Sequence, residues 1–283
     1  MTIPVTKQPP LLEDLRNHSQ EQVAELRELL NTTGATTFNG LVGNTDRLAT
    51  LTTNASGSTV INTSSVKTVT DQTFNDAVKL DTDTTLDSSS SGHVTFNSTL
   101  DSVPGETNSL LVNTSGITTF NDLVGNADRL STLTTNAGGS TVINTSSIKT
   151  VTNQTYNDAV KLDTNTTLDS STSGNITFNS TLDSVASETN LLLVNTAGTT
   201  TFNGLVGNTD RLSTLTTNAG GSTVINSVSD SVNGSWATFN KRLTTAGLGD
   251  LYYALFPNSG SGSTTGYTPS KHARHRRSLA MSV

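Results

Sequence analysis

The chain has 283 residues, a net charge of −7 and no cysteine, which excludes a disulfide framework and a thiolate metal site. Charged residues are 14% against about 25% in ordinary domains, and 54 Thr, 35 Ser and 28 Asn stand in their place. Thr favours strands and Asn, Ser and Gly favour turns, while regularly placed Phe, Ile, Val and Leu argue against disorder.

The first 33 residues form an N-terminal segment with its own grammar. "MTIPVTKQPPLLEDL" lacks the charged-then-apolar layout of a signal peptide. From about 11 to 30, Leu12, Leu15, Val23, Leu26 and Leu30 fall on one helical stripe. Pro9 and Pro10 precede it, and Glu13 and Asp14 lie in its first turn, where acids suit the helix dipole. The expected role of this amphipathic helix is a cap on the first coil of a repeat body, with a short oligomerisation helix as the alternative.

From residue 34 to 240 the chain repeats itself. "TTFNGLVGN" at 36–44 returns as "TTFNDLVGN" at 118–126 and as "TTFNGLVGN" at 200–208. Residues 37–118 and 119–200 align without gaps and differ at 16 of 82 positions; a partial third copy covers 201–226. Self-similarity at a fixed period marks an architecture in which neighbouring units bury one another's apolar sides. Such likeness also means that an unchanged residue is no proof of a role.

Inside each copy an apolar residue followed by Asn recurs. The pairs are Phe38-Asn39, Ile61-Asn62, Phe74-Asn75 and Phe96-Asn97, then Phe120-Asn121, Ile143-Asn144, Tyr156-Asn157 and Phe178-Asn179. Phe202-Asn203, Ile225-Asn226 and Phe239-Asn240 complete the series. The steps in the first copy are 23, 13, 22 and 24 residues. Steps of 22–24 suit one coil of a parallel β-solenoid, with "STVIN", "HVTFN" and "SLLVN" as strands and "NASG", "SSSSG" and "NAGG" as turns. Phe38, Phe74, Phe96 and Phe120 are expected to stack in one interior column. The 13-residue step from Ile61 to Phe74 does not fit a full coil and reads as a local excursion or a bulged corner.

The Asn after each apolar residue is expected at a bend, where it tolerates left-handed geometry. Stacked at the strand spacing, its side chain bonds the next Asn along the column. The alternative is a set of Asn-x-Ser/Thr glycosylation sites, such as Asn62-Thr63-Ser64 and Asn97-Ser98-Thr99, a weak motif in so Thr- and Ser-rich a chain.

After the repeats, 241–256 contains "LTTAGLGDLYYALF", the most apolar stretch, which with Trp236 reads as a C-terminal cap. Residues 257–283 read as a flexible linker and basic tail. The run 274–277 also fits a dibasic processing site. The tail segment "KHARHRR" carries +4 from Lys and Arg, which leaves −11 on the remainder (−7 − 4), a poor partner for nucleic acid. No run reaches the roughly 18 apolar residues of a membrane helix.

No P-loop, G-x-S-x-G elbow, H-E-x-x-H or cysteine nucleophile is present, and His18, His93, His272 and His275 form no set. Asp81, Asp83 and Asp87 lack the Gly and final Glu of a calcium loop. Asp46-Arg47, repeated at 128–129 and 210–211, reads as a surface ion pair. The expectation is therefore a non-enzymatic protein with no catalytic, cofactor or metal residues.

The strings "TTFNGLVGNTDRLATLTTNASGSTVIN", "DQTFNDAVKLDTDTTLDSSSSGHVTFN" and "SLLVNTSG" resemble the strand repeats of filamentous-haemagglutinin-like bacterial adhesins and autotransporter passengers. The resemblance covers about 34–240. It implies an elongated right-handed β-helix at the cell surface, serving as a stalk or adhesin; the expectation is an all-β parallel solenoid of about ten coils, extracellular or at the cell surface. The expected partners are other copies of the chain, end to end or through the N-terminal helix, and host or matrix surface glycans or proteins. A second reading is an ice- or polymer-binding solenoid with Thr ladders, and a third is a polysaccharide-acting β-helix enzyme.

Overall fold

The structure is a computed structural model and describes residues 33–226. The expected N-terminal helix and C-terminal cap, the basic tail, and Phe239 and Asn240 lie outside the described residues.

Burial alternates residue by residue along most of the short strands, as a half-buried pleated surface requires; Leu100–Ser102 and Leu182–Ser184, buried throughout, are the exceptions. In Thr84–Ser88 the first, third and fifth side chains are buried and the two between are half-exposed. The described residues form twenty-three such strands, and the pairings between them are parallel. The result is an all-β parallel solenoid of about 8 turns.

Each turn visits three faces in a fixed cycle. Ala35–Phe38, Ser58–Ile61, Ala77–Leu80 and Leu100–Ser102 stack on the first face. Single bridges from Leu100 to Val124 and on to Ile148 continue that face into Ser147–Thr150, Thr166–Ser170, Leu191–Asn195 and Thr214–Thr217. The second face begins with Ser65–Thr68 and Thr84–Ser88 and runs through Gln154–Tyr156 to Ser222–Ile225. The third begins with Leu51–Thr52 and Gln72–Phe74 and runs through Ile117–Phe120 to Leu182–Ser184.

The 82-residue repeat is not a whole number of coils. From Ala35–Phe38 to its counterpart Ile117–Phe120 the chain lays down ten strands and the bridging segment at Val42. Eleven segments at three per coil make three and two-thirds coils. The same words therefore move on by two faces in each copy: 36–38 lies on the first face, 118–120 on the third, 200–202 on the second.

This geometry also accounts for the 13-residue step. Between Ile61 on the first face and Phe74 on the third, the chain builds Ser65–Thr68 on the second. The step is two-thirds of a coil, with a regular strand in its middle, rather than an excursion or a bulge.

The apolar residues of the apolar-Asn pairs accordingly stack in three columns, one on each face, rather than in one. Phe38 pairs with Ile61 and then Leu80 on the first face. Phe74, Phe96, Phe120 and Ile143 follow one another on the third face, and Tyr156, Phe178, Phe202 and Ile225 on the second. The rings stack nearly parallel: Phe74 to Phe96 at 5.2 Å, Phe96 to Phe120 at 5.4 Å, Tyr156 to Phe178 and Phe178 to Phe202 at 5.2 Å. In-register parallel strands impose that spacing, because each ring sits one strand separation above its equivalent.

Candidate functional site

The surface is written by the residues that alternate with the core. In the unit Thr-Phe-Asn, Phe points inward and Thr and Asn share the outer side. On the third face Thr52, Thr73, Thr95 and Thr119 are consecutive in register. On the second face Thr134, Thr155, Thr177 and Thr201 repeat the pattern. Each ladder then passes to a Val, Val142 or Val224.

The asparagines of the apolar-Asn pairs fall at three corners. Asn62 Nδ2 donates to Asn39 Oδ1 at 3.3 Å. Asn97, Asn121 and Asn144 donate in turn to Asn75, Asn97 and Asn121 at 2.7, 2.8 and 3.2 Å. Asn179, Asn203 and Asn226 donate to Asn157, Asn179 and Asn203 at 2.6, 2.7 and 2.6 Å. Asn75 and Asn157, at the feet of the two longer runs, donate to the Thr53 and Thr135 carbonyls. The structure adds two further ladders, on different faces: Asn113 donates to Asp87, and Asn218 to Asn195 and Asn195 to Asp169. Their signal in the sequence is the Val-Asn of "LLVN" at 110–113 and 192–195.

Arg47 does not pair with its neighbour Asp46. Its guanidinium reaches Asp87, 2.5 Å away and 40 residues on, and donates to the carbonyls of Thr68 and Asp87. Arg129 does the same with Asp169 and the Thr150 carbonyl. The side chain bridges stacked strands, because Leu48 bridges Thr68 and Thr68 pairs with Ser88 beside Asp87. The pair is part-exposed, so it contributes little, on the order of 1 kcal/mol or less. Asp87 is thereby committed to Arg47 and Asn113, and Asp83 accepts the Ser109 N–H at 2.7 Å. Among the described residues no cluster of His, Cys, Asp or Glu could hold a metal ion.

Two buried acids carry no signal in the sequence pattern. Asp76 accepts the Thr53 and Thr59 hydroxyls at 2.6 and 2.9 Å, and Asp158 accepts those of Thr135 and Thr141 at 2.8 and 2.9 Å. Burial raises the Asp158 carboxyl above its ordinary range, against the lowering effect of the two hydroxyls. Burial, and then the nearby Asp158 charge, raise the Tyr156 phenol. Each acid joins neighbouring strands at a corner, a structural task.

No protein-family model matches this chain, and neither curated proteins nor solved structures provide a match. What the molecule offers is geometry: registered Thr rows, Asn ladders and ion pairs, repeated on successive faces.

Proposed function

We propose that this chain is a non-enzymatic structural or adhesive rod, acting at a cell surface or in an extracellular fibre, as its resemblance to filamentous-haemagglutinin-like adhesins suggests. The observation that carries this reading is the advance of the repeat by three and two-thirds coils. An active site needs one constellation of unlike groups. Here the ion pair Arg47–Asp87 and the Asp76–Thr53–Thr59 cluster recur one copy later, on another face, as Arg129–Asp169 and Asp158–Thr135–Thr141. A surface repeated around an axis suits many weak contacts, whose avidity exceeds any single affinity.

The experiment is protease shaving of intact cells that make the protein. Peptides from 34–240 released without lysis are the expected result. Their release only after lysis would reject the surface location.

The registered ladder Thr134–Thr155–Thr177–Thr201 favours a second reading, binding to ice or another regular lattice. Against it, the first-copy ladder lies on a different face, so the registered Thr row on either face is only four residues long. Ice-shaping activity that disappears in Thr155→Tyr would favour that reading over the rod.

A further inference from the structure

The described residues contain nine Asn-x-Ser/Thr triplets, and the solenoid divides them into classes. In five, the Asn amide nitrogen is already a donor within the structure. Asn62, Asn97, Asn144 and Asn179 donate to the Asn below, and Asn113 donates to Asp87. The next side chain of the ladder lies one strand separation, about 4.8 Å, away, so a sugar on any of these would crowd it. Asn54 in the sixth is also engaged.

The remaining three are Asn153, Asn165 and Asn175, all exposed and all in the second copy. Each uses only its oxygen. Asn153 Oδ1 accepts the Asn175 N–H at 2.7 Å, Asn165 Oδ1 the Leu191 N–H at 2.8 Å, and Asn175 Oδ1 the Thr199 N–H at 2.9 Å. Their Nδ2 groups donate to none of the described residues.

The first copy places Asp71, Asp83 and His93 at these positions. The structural task there is the same. Asp71 Oδ1 accepts the His93 N–H, Asp83 Oδ1 the Ser109 N–H, and His93 Nδ1 the Ile117 N–H. The fold asks only for an acceptor, which Asp and His supply as well as Asn. Yet three of the sixteen differences between the copies replace that acceptor with Asn, and each completes an Asn-x-Thr triplet. Strand alternation places Asn and the following Thr155, Thr167 or Thr177 on the same outer side, with Gln154, Thr166 or Ile176 buried between them.

We propose that Asn153, Asn165 and Asn175 are N-glycosylation sites peculiar to the second repeat. The bond formed joins Nδ2 to C1 of a sugar. The bond broken is C1–O to the phosphate of an activated glycosyl donor, which departs as the nucleoside diphosphate or lipid pyrophosphate; Nδ2 gives up one proton, and nothing is oxidised or reduced. The amide oxygen keeps its hydrogen bond throughout, so the modification leaves the coil intact. Asn153 and Asn175 lie on adjacent coils, about 4.8 Å apart, so a sugar on one shuts out the other. One molecule therefore carries at most two.

The test is intact mass and glycopeptide mapping of the protein isolated from the cells that make it. Carbohydrate is expected on the Asn165 peptide and on either the Asn153 or the Asn175 peptide, with Asn97 and Asn179 bare. Bare asparagine at all three positions, sugar on Asn97 or Asn179, or three sugars on one molecule would overturn the proposal. Asn165→Asp, which restores the first copy's residue, should remove that sugar and leave the melting temperature unchanged when sugar-free samples are compared. A bare protein that is still shaved from intact cells would reject glycosylation alone and leave the rod standing.

Discussion

Tyr156 donates its hydroxyl to Oε1 of Gln154 at 3.1 Å, with both side chains buried in the core. One repeat earlier the pair is Phe74 and Gln72, and Gln72 Oε1 has no partner among the described residues. In both copies the glutamine nitrogen is held in the same way, Gln72 by Val66 O and Asp87 O and Gln154 by Ile148 O and Asp169 O. The two copies thus form a natural comparison in which one hydroxyl differs. Leaving a buried acceptor unsatisfied costs about 1–3 kcal/mol. Tyr156→Phe should destabilise the solenoid by about that amount, and Phe74→Tyr should stabilise it by roughly 1 kcal/mol. Urea titrations of both variants measure this; equal midpoints would show that the hydroxyl is idle.

Gly125 and Gly105 both have positive φ, at 64° and 85°, but they differ in surroundings. A Cβ on Gly125 would overlap the Lys149 carbonyl oxygen, whereas around Gly105 nothing lies within 4 Å. The second copy already has Ser187, at φ 70°, where the first has Gly105. Gly125→Ala should cost several kcal/mol (of the order seen for overpacking plus backbone strain, ~2–4). Gly105→Ser should cost about 1 kcal/mol or less. Similar thermal midpoints for the two would contradict the packing at Gly125.

Asp158 links stability to acidity. Its folded pKa is raised, chiefly by burial, above an unfolded value of about 3.9. The folded state therefore holds its proton more tightly. This residue's contribution grows as pH falls through the folded pKa towards the unfolded one, and is lost as pH rises through the folded pKa. Asp158→Asn keeps an acceptor for Thr135 and Thr141 and removes the titration. The variant should gain most over the native chain at neutral pH and least near pH 4. Melting curves of both proteins across that range are the measurement, and a constant difference would reject the linkage.

Deleting residues 119–200 removes eleven segments and joins 118 to 201. The third copy then occupies the third face instead of the second, but stacks on sequence nearly identical to its own predecessor. The shortened chain should fold, with a body shorter by about 18 Å at roughly 4.8 Å per coil. Deleting 41 residues, half the period, should set apolar columns against polar ones and abolish the cooperative transition. Solution scattering and far-ultraviolet spectra distinguish the two cases; a folded half-period deletion would mean that register is not held by side-chain identity.

The period, the coil length and the inward side of each strand were all legible in the chain. They are local: alternation decides which side of a strand is apolar, and a 22–24-residue step fixes the circumference. Phe74, Phe96 and Phe120 could be read as neighbours on those grounds alone. What only the tertiary structure decided is which strand meets which when the repeat and the coil are incommensurate. Eleven segments do not divide by three, so one expected column became three, and the awkward 13-residue step became an ordinary change of face. Arg47 chose Asp87 over the adjacent Asp46 for a similar reason. Its long side chain lies along the stacking direction, and the partner it finds there is 40 residues away in sequence yet separated by only the thickness of stacked strands.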